Sequence, residues 1–239
     1  MANLMHPAKS ASHWMENELR AFNIRVVSVD TAAFFGNPTL PPAPVSPTIL
    51  SNLQLPDGAV ENEDRLFFEY LEDALSEGSN GAVVDFSTFL LRMMKYDHNN
   101  RRICTKKMSF NMAGQYVDAI ADVCELDNFQ YLLLVQVHKA IAAFYQNNLR
   151  RNMAGLPLLS QHVIAGITMV GTAPVFYRIP ITMSLLDAVA TGSYPQEETV
   201  VMRFVPPVQN TQVYMSKGMR TLEGRRVALQ CLEAFKSAL

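Results

Sequence analysis

A short and solidly apolar run, Tyr131 to Val135, constrains the fold of this chain more than any other feature of the sequence. The run follows the turn-forming residues Asp127 and Asn128, and it precedes a segment of helical character from Ala140 to Ala154. Because polar residues do not alternate with the apolar ones, the run suits a strand that is covered on both faces. The sequence therefore predicts a central strand of a sheet with helices packed on it.

Apolar periodicity extends this prediction along the chain. Alternating apolar residues or short apolar runs predict further strands at residues 24–29, 108–112, 116–125, 163–170, 175–181 and 199–205. Helical spacing predicts further helices at residues 14–22, 64–75, 86–96, 184–190 and 222–238, with Gly192 as a left-handed cap after residue 190. This order of elements predicts an α/β fold with a mixed central sheet flanked by helices.

A proline-rich segment, Pro38 to Pro56, follows the first predicted elements. Proline lacks an amide donor and favours extended backbone. The aliphatic side chains that are interleaved with these prolines would be stabilised by packing on the rest of the protein. This predicts an ordered arm, and the alternative is a flexible linker. We therefore predict an N-terminal arm packed on the core, residues 1–60, and an α/β domain, residues 61–239.

Composition and length bound the class of protein. The 239 residues are 49% hydrophobic and 18% charged, which is ordinary for a folded domain. No apolar run reaches the roughly 18 residues of a membrane helix, and residues 1–14 lack the apolar stretch of a secretory signal. Three widely spaced cysteines fit reduced thiols better than a disulfide framework. We expect an intracellular protein, in the cytoplasm or nucleus, without a membrane partner.

The charge of the chain argues against a nucleic-acid interface spread over a whole face. The net charge is −2 and the sequence pI is near 6.2, so any phosphate contacts would have to be local. Three small basic groups occur, and we interpret them as solvated surface: Arg101 and Arg102 with Lys106 and Lys107, then Arg150 and Arg151, and then Arg225 and Arg226.

The segment from Asp118 to Lys139 holds the residues that chemistry could use. Asp122 lies in a predicted strand, and after a short turn the apolar strand Tyr131 to Val135 leads into Gln136, Val137, His138 and Lys139. This arrangement resembles the PD-(D/E)XK nuclease family, in which acids on two neighbouring strands hold a divalent metal ion and a lysine assists the attacking water. The resemblance implies a restriction-endonuclease-like core, with Asp122 as a metal ligand and catalytic residue and Lys139 as a catalytic residue.

Two further roles follow from this resemblance. Glu69, on the helix before the strands, is expected as a second metal ligand, and Gln146, on the helix after them, as a residue that orients a phosphate or a water. Phosphodiester hydrolysis needs anionic oxygens to hold Mg²⁺ and a cation to stabilise developing charge. The alternative for Glu69 is a solvent-facing helix position, and for Gln146 a solvated polar face shared with Asn147 and Asn148.

The sequence departs from the nuclease motif where the second acid should stand. Val137 occupies that position and offers no oxygen ligand to a hard cation, and Ala121 stands where the family often has proline. Glu125, Asp127 or Asp118 could substitute for the missing acid, and His138 could serve a softer metal. The alternative for His138 is a structural role. Cys124 could be a nucleophile, and the alternative is that it is a buried thiol.

A wider resemblance covers nearly the whole chain. Segments His13 to Gly36, Leu66 to Asp73, Gly166 to Pro174 and Arg225 to Phe235 resemble a multicopy protein group of mushroom-forming fungi. Members of that group tend to have Pro-Asp at the position of Ala121 and Asp122, and Glu-Asp-Lys at the position of Val137 to Lys139. The resemblance thus implies a nuclease-like core that is degenerate in this chain.

Three functional hypotheses remain open from the sequence. The first is a degenerate nuclease-fold protein, or pseudoenzyme, that binds protein or nucleic acid with little or no catalysis. The second is an active nuclease with a rearranged acidic ligand and Mg²⁺ as its cofactor. The third is a small-molecule enzyme or a structural subunit that reuses the scaffold, since a fold alone does not fix function.

Overall fold

The strands and helices follow the predicted alternation of elements. The computed structural model describes residues 14–76, 80–98, 100–127, 130–134 and 137–239, and for residues 122, 132–134, 137 and 138 it describes the backbone only. The strands are β1 (Ile24–Ser28), β2 (Arg102–Met112), β3 (Gln115–Leu126), β4 (Tyr131–Leu134), β5 (Gln161–Val170), β6 (Ala173–Thr182) and β7 (Thr199–Phe204). The helices are α1 (Glu16–Ala21), α2 (Thr31–Phe35), α3 (Pro47–Ser51), α4 (Asn62–Leu75), α5 (Asn80–Met93), α6 (Val137–Met153), α7 (Met183–Thr191), α8 (Thr211–Lys217) and α9 (Leu222–Phe235).

These strands form one mixed sheet. Across the described residues its order is β1-β7-β6-β5-β4-β3-β2. The pairs β1–β7 and β4–β5 are parallel, whereas β3–β4 is antiparallel. The predicted α/β class with a mixed sheet is therefore confirmed, and β4 lies inside the sheet between β5 and β3, as the apolar run at Tyr131 predicted.

A tight turn at Ala113 and Gly114 joins β2 to β3. Both residues have positive φ, 48° for Ala113 and 76° for Gly114, which is the requirement of a type I′ hairpin turn. Their amides donate hydrogen bonds to the carbonyls of Val189 and Ala190, at 2.9 and 2.8 Å. The helix α7 that holds those carbonyls ends at Gly192 with φ 68°, so the predicted left-handed cap is confirmed.

The chain divides into two compact units. The first comprises residues 14–28, Cys104–Ile167 and Tyr177–Arg203, and the second comprises Val29–Ile103, Thr168–Phe176 and Phe204–Leu239. Residues 14–60 are thus shared between the two units. The predicted division into an arm and an α/β domain stays a prediction.

In the first unit, the N-terminal part of α6 is buried on all sides. The run Ala140–Phe144 is fully buried in one cluster with Tyr131 of β4. Asn147 is also fully buried: its Oδ1 accepts a hydrogen bond from the amide of Tyr131 at 2.8 Å. Asn148 is buried and its Oδ1 accepts from the amide of Leu159 at 2.8 Å. The predicted solvated face at these asparagines is wrong, because both side chains satisfy backbone groups that the core would otherwise leave unpaired.

In the second unit, the buried guanidinium of Arg225 on α9 organises the chain around it. It donates to the carbonyls of Met219 at 3.0 Å, Ile49 at 2.8 Å and Leu53 at 3.1 Å, and also to that of Asn52. Burial lowers the pKa of Arg225 to about 10, which leaves the guanidinium protonated at neutral pH. The predicted solvated position of Arg225 is wrong, because the end of the proline-rich segment offers a set of carbonyls that only a forked donor can satisfy.

Candidate functional site

Strand β3 carries the predicted metal ligand Asp122 in an irregular stretch. One hydrophobic cluster contains Ala119 and Ala121 before this stretch and Cys124 and Leu126 after it. A regular strand would place Ala121 and Cys124 on opposite faces, because side chains alternate. The alternation is therefore interrupted at residues 122 and 123, as in a β-bulge. The backbone of Asp122 lies in this interruption, and its side chain lies outside the described residues.

Glu125, three residues after Asp122, is fully buried. Because Cys124 and Leu126 face the hydrophobic cluster, the carboxyl group of Glu125 faces the other side of the sheet. Its Cα pairs with that of Leu133 in β4, a strand inside the sheet. A carboxylate is rarely buried to this extent in a folded protein, so Glu125 is the buried acid of β3 among the described side chains.

Asp118, another acid that the sequence offered as a substitute ligand, has an exposed structural role. Its carboxylate forms an ion pair with Lys107 of β2 at 2.7 Å and accepts a hydrogen bond from the Ser109 hydroxyl at 2.7 Å. The hydrogen bonds from Lys107 and Ser109 lower the pKa of Asp118. These contacts tie β2 to β3 across the hairpin. Asp127 is exposed at the end of β3.

Lys139 lies in the first turn of α6 and not at the end of a strand. We expected the strand from Tyr131 to run on into Lys139, but β4 ends at Leu134 and α6 begins at Val137. That expectation is wrong, because the alanine-rich residues after Lys139 favour a helix that extends back past it. Lys139 is only 7% exposed. Gln136 and the side chains of Val137 and His138 lie outside the described residues.

Gln146, two helical turns after Lys139, makes a hydrogen bond to the backbone. Its Nε2 donates to the carbonyl of Ser109 at 2.6 Å. Ser109 belongs to β2, the strand at one end of the sheet order in the part of the chain that the structure describes. Gln146 therefore covers part of an open sheet edge, a structural role that protects the edge from pairing with another strand.

Glu69 lies on α4 in the second unit. Its carboxylate accepts a hydrogen bond from Arg65 Nη1 at 2.5 Å, and both side chains are exposed. Pairs with this four-residue spacing are common on solvated helix surfaces. Asp122, Lys139 and Gln146 belong to the first unit. That Glu69 joins them at one metal ion stays a prediction.

Several cations of the predicted basic groups bind other parts of the protein. Arg150 stacks over the Tyr131 ring at 4.6 Å and donates to its hydroxyl at 3.0 Å. Arg151 Nε donates to the carbonyl of Pro157 at 2.8 Å, and Lys107 pairs with Asp118. Charge that is already engaged in this way contributes less to a phosphate-binding surface.

Four exposed apolar side chains, which we call the α6-end patch, lie in the last turns of α6 and in the loop after it. Its members are Leu149, Met153, Leu156 and Leu158, and Met153 alone is 80% exposed. The amide of Leu156 donates to the carbonyl of Arg151 at 2.8 Å, which folds the following loop back on the helix. Clustered exposed apolar side chains mark interaction surfaces more often than single ones do. We did not predict this patch from the sequence, although Leu149 and Met153 have the four-residue spacing of one helix face.

The described residues contain no group of three or more histidine, cysteine, aspartate or glutamate side chains that could hold a metal ion. The side chains of Asp122 and His138 lie outside the described residues. No helix in the described ranges is long and apolar enough to cross a membrane. Comparison with known proteins finds no family model and no curated protein that matches the chain.

Proposed function

We propose that this protein acts by binding another protein, with little or no catalysis. The proposal includes a restriction-endonuclease-like core, an N-terminal proline-rich arm packed on it, and a location in the cytoplasm or nucleus. Descent from a nuclease does not require that the protein still catalyses a reaction, because a scaffold persists when the chemistry on it is lost.

The observation that carries the proposal is the position of Lys139. A lysine that assists phosphodiester hydrolysis must present its ammonium group to the attacking water or to the scissile phosphate. Lys139 is instead almost fully buried in the first turn of α6. The acid expected two residues before it is Val137, which cannot bind Mg²⁺. Gln146 is engaged by the Ser109 carbonyl.

A protein fits the surface better than a nucleic acid does. The chain has a net charge of −2, and Arg150, Arg151 and Lys107 are engaged in contacts within the fold. The α6-end patch instead offers aliphatic and thioether side chains, including Met153, which adapts its shape to a partner. Nucleic acid is the alternative ligand, and it would require local phosphate contacts at the remaining cations.

The test is affinity capture with matched variants of the full chain. Met153→Glu with Leu158→Glu places two charges in the α6-end patch, whereas Tyr194→Glu changes an equally accessible apolar position of the first unit outside it. We expect a protein captured by the wild-type chain and by Tyr194→Glu to be lost with the double variant. Two results would contradict the proposal: equal capture of the protein by the wild-type chain and both variants, or capture only of nuclease-sensitive nucleic acid.

A surviving metal-dependent nuclease is the second candidate, and the burial of Glu125 favours it. A fully buried carboxylate three residues from Asp122 is what a rearranged ligand set would need. Glu125→Gln keeps the shape of the side chain and removes its charge. If Mg²⁺- or Mn²⁺-dependent cleavage of DNA or RNA exists and falls with Glu125→Gln while the variant stays folded, this candidate replaces the first.

A further inference from the structure

Two of the three cysteines lie side by side on neighbouring strands. Cys104 on β2 and Cys124 on β3 have their Sγ atoms 3.6 Å apart, and the Cys124 thiol also donates to the carbonyl of Cys104 at 3.0 Å. All three cysteines are free thiols. The separation of 20 residues in sequence gives no hint of this pairing, which arises because the β2–β3 hairpin brings the two positions together.

The two thiols differ in their access to solvent. Cys124 is fully buried, and burial raises the pKa of its thiol. Cys104 is partly exposed. A soluble oxidant therefore reaches Cys104 first, and Cys124 is positioned behind it. This is the arrangement of a reactive thiol next to a resolving thiol.

Positive charge lies close to the pair. Lys106 and Arg150 act electrostatically on Cys124 in the direction that favours its thiolate, against the larger effect of burial. Arg150 is held in place by its stacking and hydrogen bond on Tyr131. Nearby cations stabilise a thiolate, and the thiolate is the nucleophile in thiol oxidation.

We propose that Cys104 and Cys124 form a reversible disulfide when the folded protein meets a peroxide. The Cys104 thiolate attacks one oxygen of hydrogen peroxide, the O–O bond breaks, and Cys104 becomes a sulfenic acid while hydroxide leaves. The Cys124 sulfur then attacks the Cys104 sulfur, the S–O bond breaks, and the second hydroxide leaves. The two thiol protons convert the two hydroxides to water, so two thiols and one peroxide give one disulfide and two waters.

Forming the bond requires β2 to move toward β3. A disulfide needs the sulfur atoms at about 2.05 Å, so the 3.6 Å separation must shorten. Strand β2 pairs only with β3 at its end of the described sheet, which lets it shift toward Cys124 without disturbing a further strand. The bond would join β2 covalently to β3, the strand that carries Asp122 and Glu125. Slower amide hydrogen exchange in β2 is the expected consequence.

Peptide mapping tests this directly, because trypsin separates the three cysteines. Cys104 falls on Ile103–Lys106, Cys124 on Met108–Lys139 and Cys231 on residues 227–236. The folded wild-type chain is treated with hydrogen peroxide, denatured with an alkylating reagent and digested without reductant. We expect the first two peptides to appear joined, two hydrogens lighter than their sum, and to separate after dithiothreitol. The peptide with Cys231, which is fully buried, should be recovered alkylated.

Three comparisons sharpen the result. Cys231→Ser should keep the linked peptide and Cys104→Ser should abolish it, and peroxide treatment in guanidinium should remove the preference for this pair. The proposal is overturned if the folded wild-type chain yields Cys104 only as unlinked sulfinic or sulfonic acid. It is also overturned if the linkage joins Cys231 or two separate chains. Because the wild-type chain itself gives the decisive peptides, poor folding of a variant leaves the test intact.

Discussion

Gly218 gives the sharpest test of packing in the second unit. Its backbone has φ +50° and ψ −129°, a conformation that residues other than glycine rarely adopt. A Cβ built there would overlap the hydroxyl of Thr172 and lie 2.5 Å from the Thr172 carbonyl carbon and 2.7 Å from the amide nitrogen of Ala173. Two of these atoms belong to the backbone, so no side-chain rotation relieves the contact.

The magnitude for Gly218→Ala follows from two terms. The backbone conformation costs alanine about 1–3 kcal/mol, as residues in sparsely populated regions do. Overpacking against backbone adds about 1–3 kcal/mol. We therefore expect the free energy of unfolding to fall by about 2–6 kcal/mol.

Gly155→Ala is the matched control. Gly155 has φ +68°, but no atom lies within 4 Å of the position that its Cβ would take. The free energy of unfolding of this variant should fall only by the cost of a positive φ in alanine, about 1–2 kcal/mol. Urea denaturation, followed by far-ultraviolet circular dichroism, measures the free energy of unfolding of both variants. The midpoints can be compared if the dependence of that free energy on urea concentration is unchanged. If Gly218→Ala costs no more than Gly155→Ala, the close packing of Gly218 on Thr172 is wrong.

Four further predictions follow from single residues. Arg225→Met should lower the free energy of unfolding by about 3 kcal/mol or more, measured by urea denaturation, because it leaves buried carbonyls without a donor. Ala113→Gly should raise it by about 0.5–1 kcal/mol, because glycine adopts the positive φ of the hairpin turn without strain. Lys107→Met should raise the pKa of Asp118 toward its ordinary value, as read by carboxyl NMR titration, and an unchanged pKa would exclude the ion pair in solution. Burial lowers the pKa of His162 below its usual 6.5, so protonation of this imidazole favours the unfolded chain; the unfolding temperature should fall as pH drops below 6.5, and His162→Gln should reduce that dependence on pH.

The sequence predicted the elements with strong apolar patterns and missed the short ones. The run at Tyr131, the alternation in β2 and the helical stripe of α4 all carry long or regular signals. Helices α2, α3 and α8 have five to seven residues each, too few for periodicity to distinguish them from loop. Their N-terminal caps, Asp30, Ser46 and Asn210, were visible only as ordinary turn-forming residues.

The candidate site was harder to predict because its residues depend on local irregularity. The helix boundary before Lys139 moved by three residues from its predicted start, and this changed a strand-terminal lysine into a buried helical one. The interruption of alternation around Asp122 in β3 has no signature in a single sequence. Likewise Asn147 and Arg225 look like surface residues until the fold brings backbone groups to them. Tertiary contacts decide the roles of such polar residues, and spacing along the chain does not encode those contacts.

Single-turnover phosphodiester cleavage tests the absence of catalysis most directly. The wild-type chain, Asp122→Ala and Lys139→Ala are each held in excess over labelled single- and double-stranded DNA and RNA, with Mg²⁺ and separately with Mn²⁺. We predict that any cleavage by the wild-type preparation equals that of both variants, because Lys139 is a buried residue of the first turn of α6, only 7% exposed. Metal-dependent cleavage by the wild-type chain that disappears in Asp122→Ala and in Lys139→Ala, with both variants folded, would contradict a binding role without catalysis.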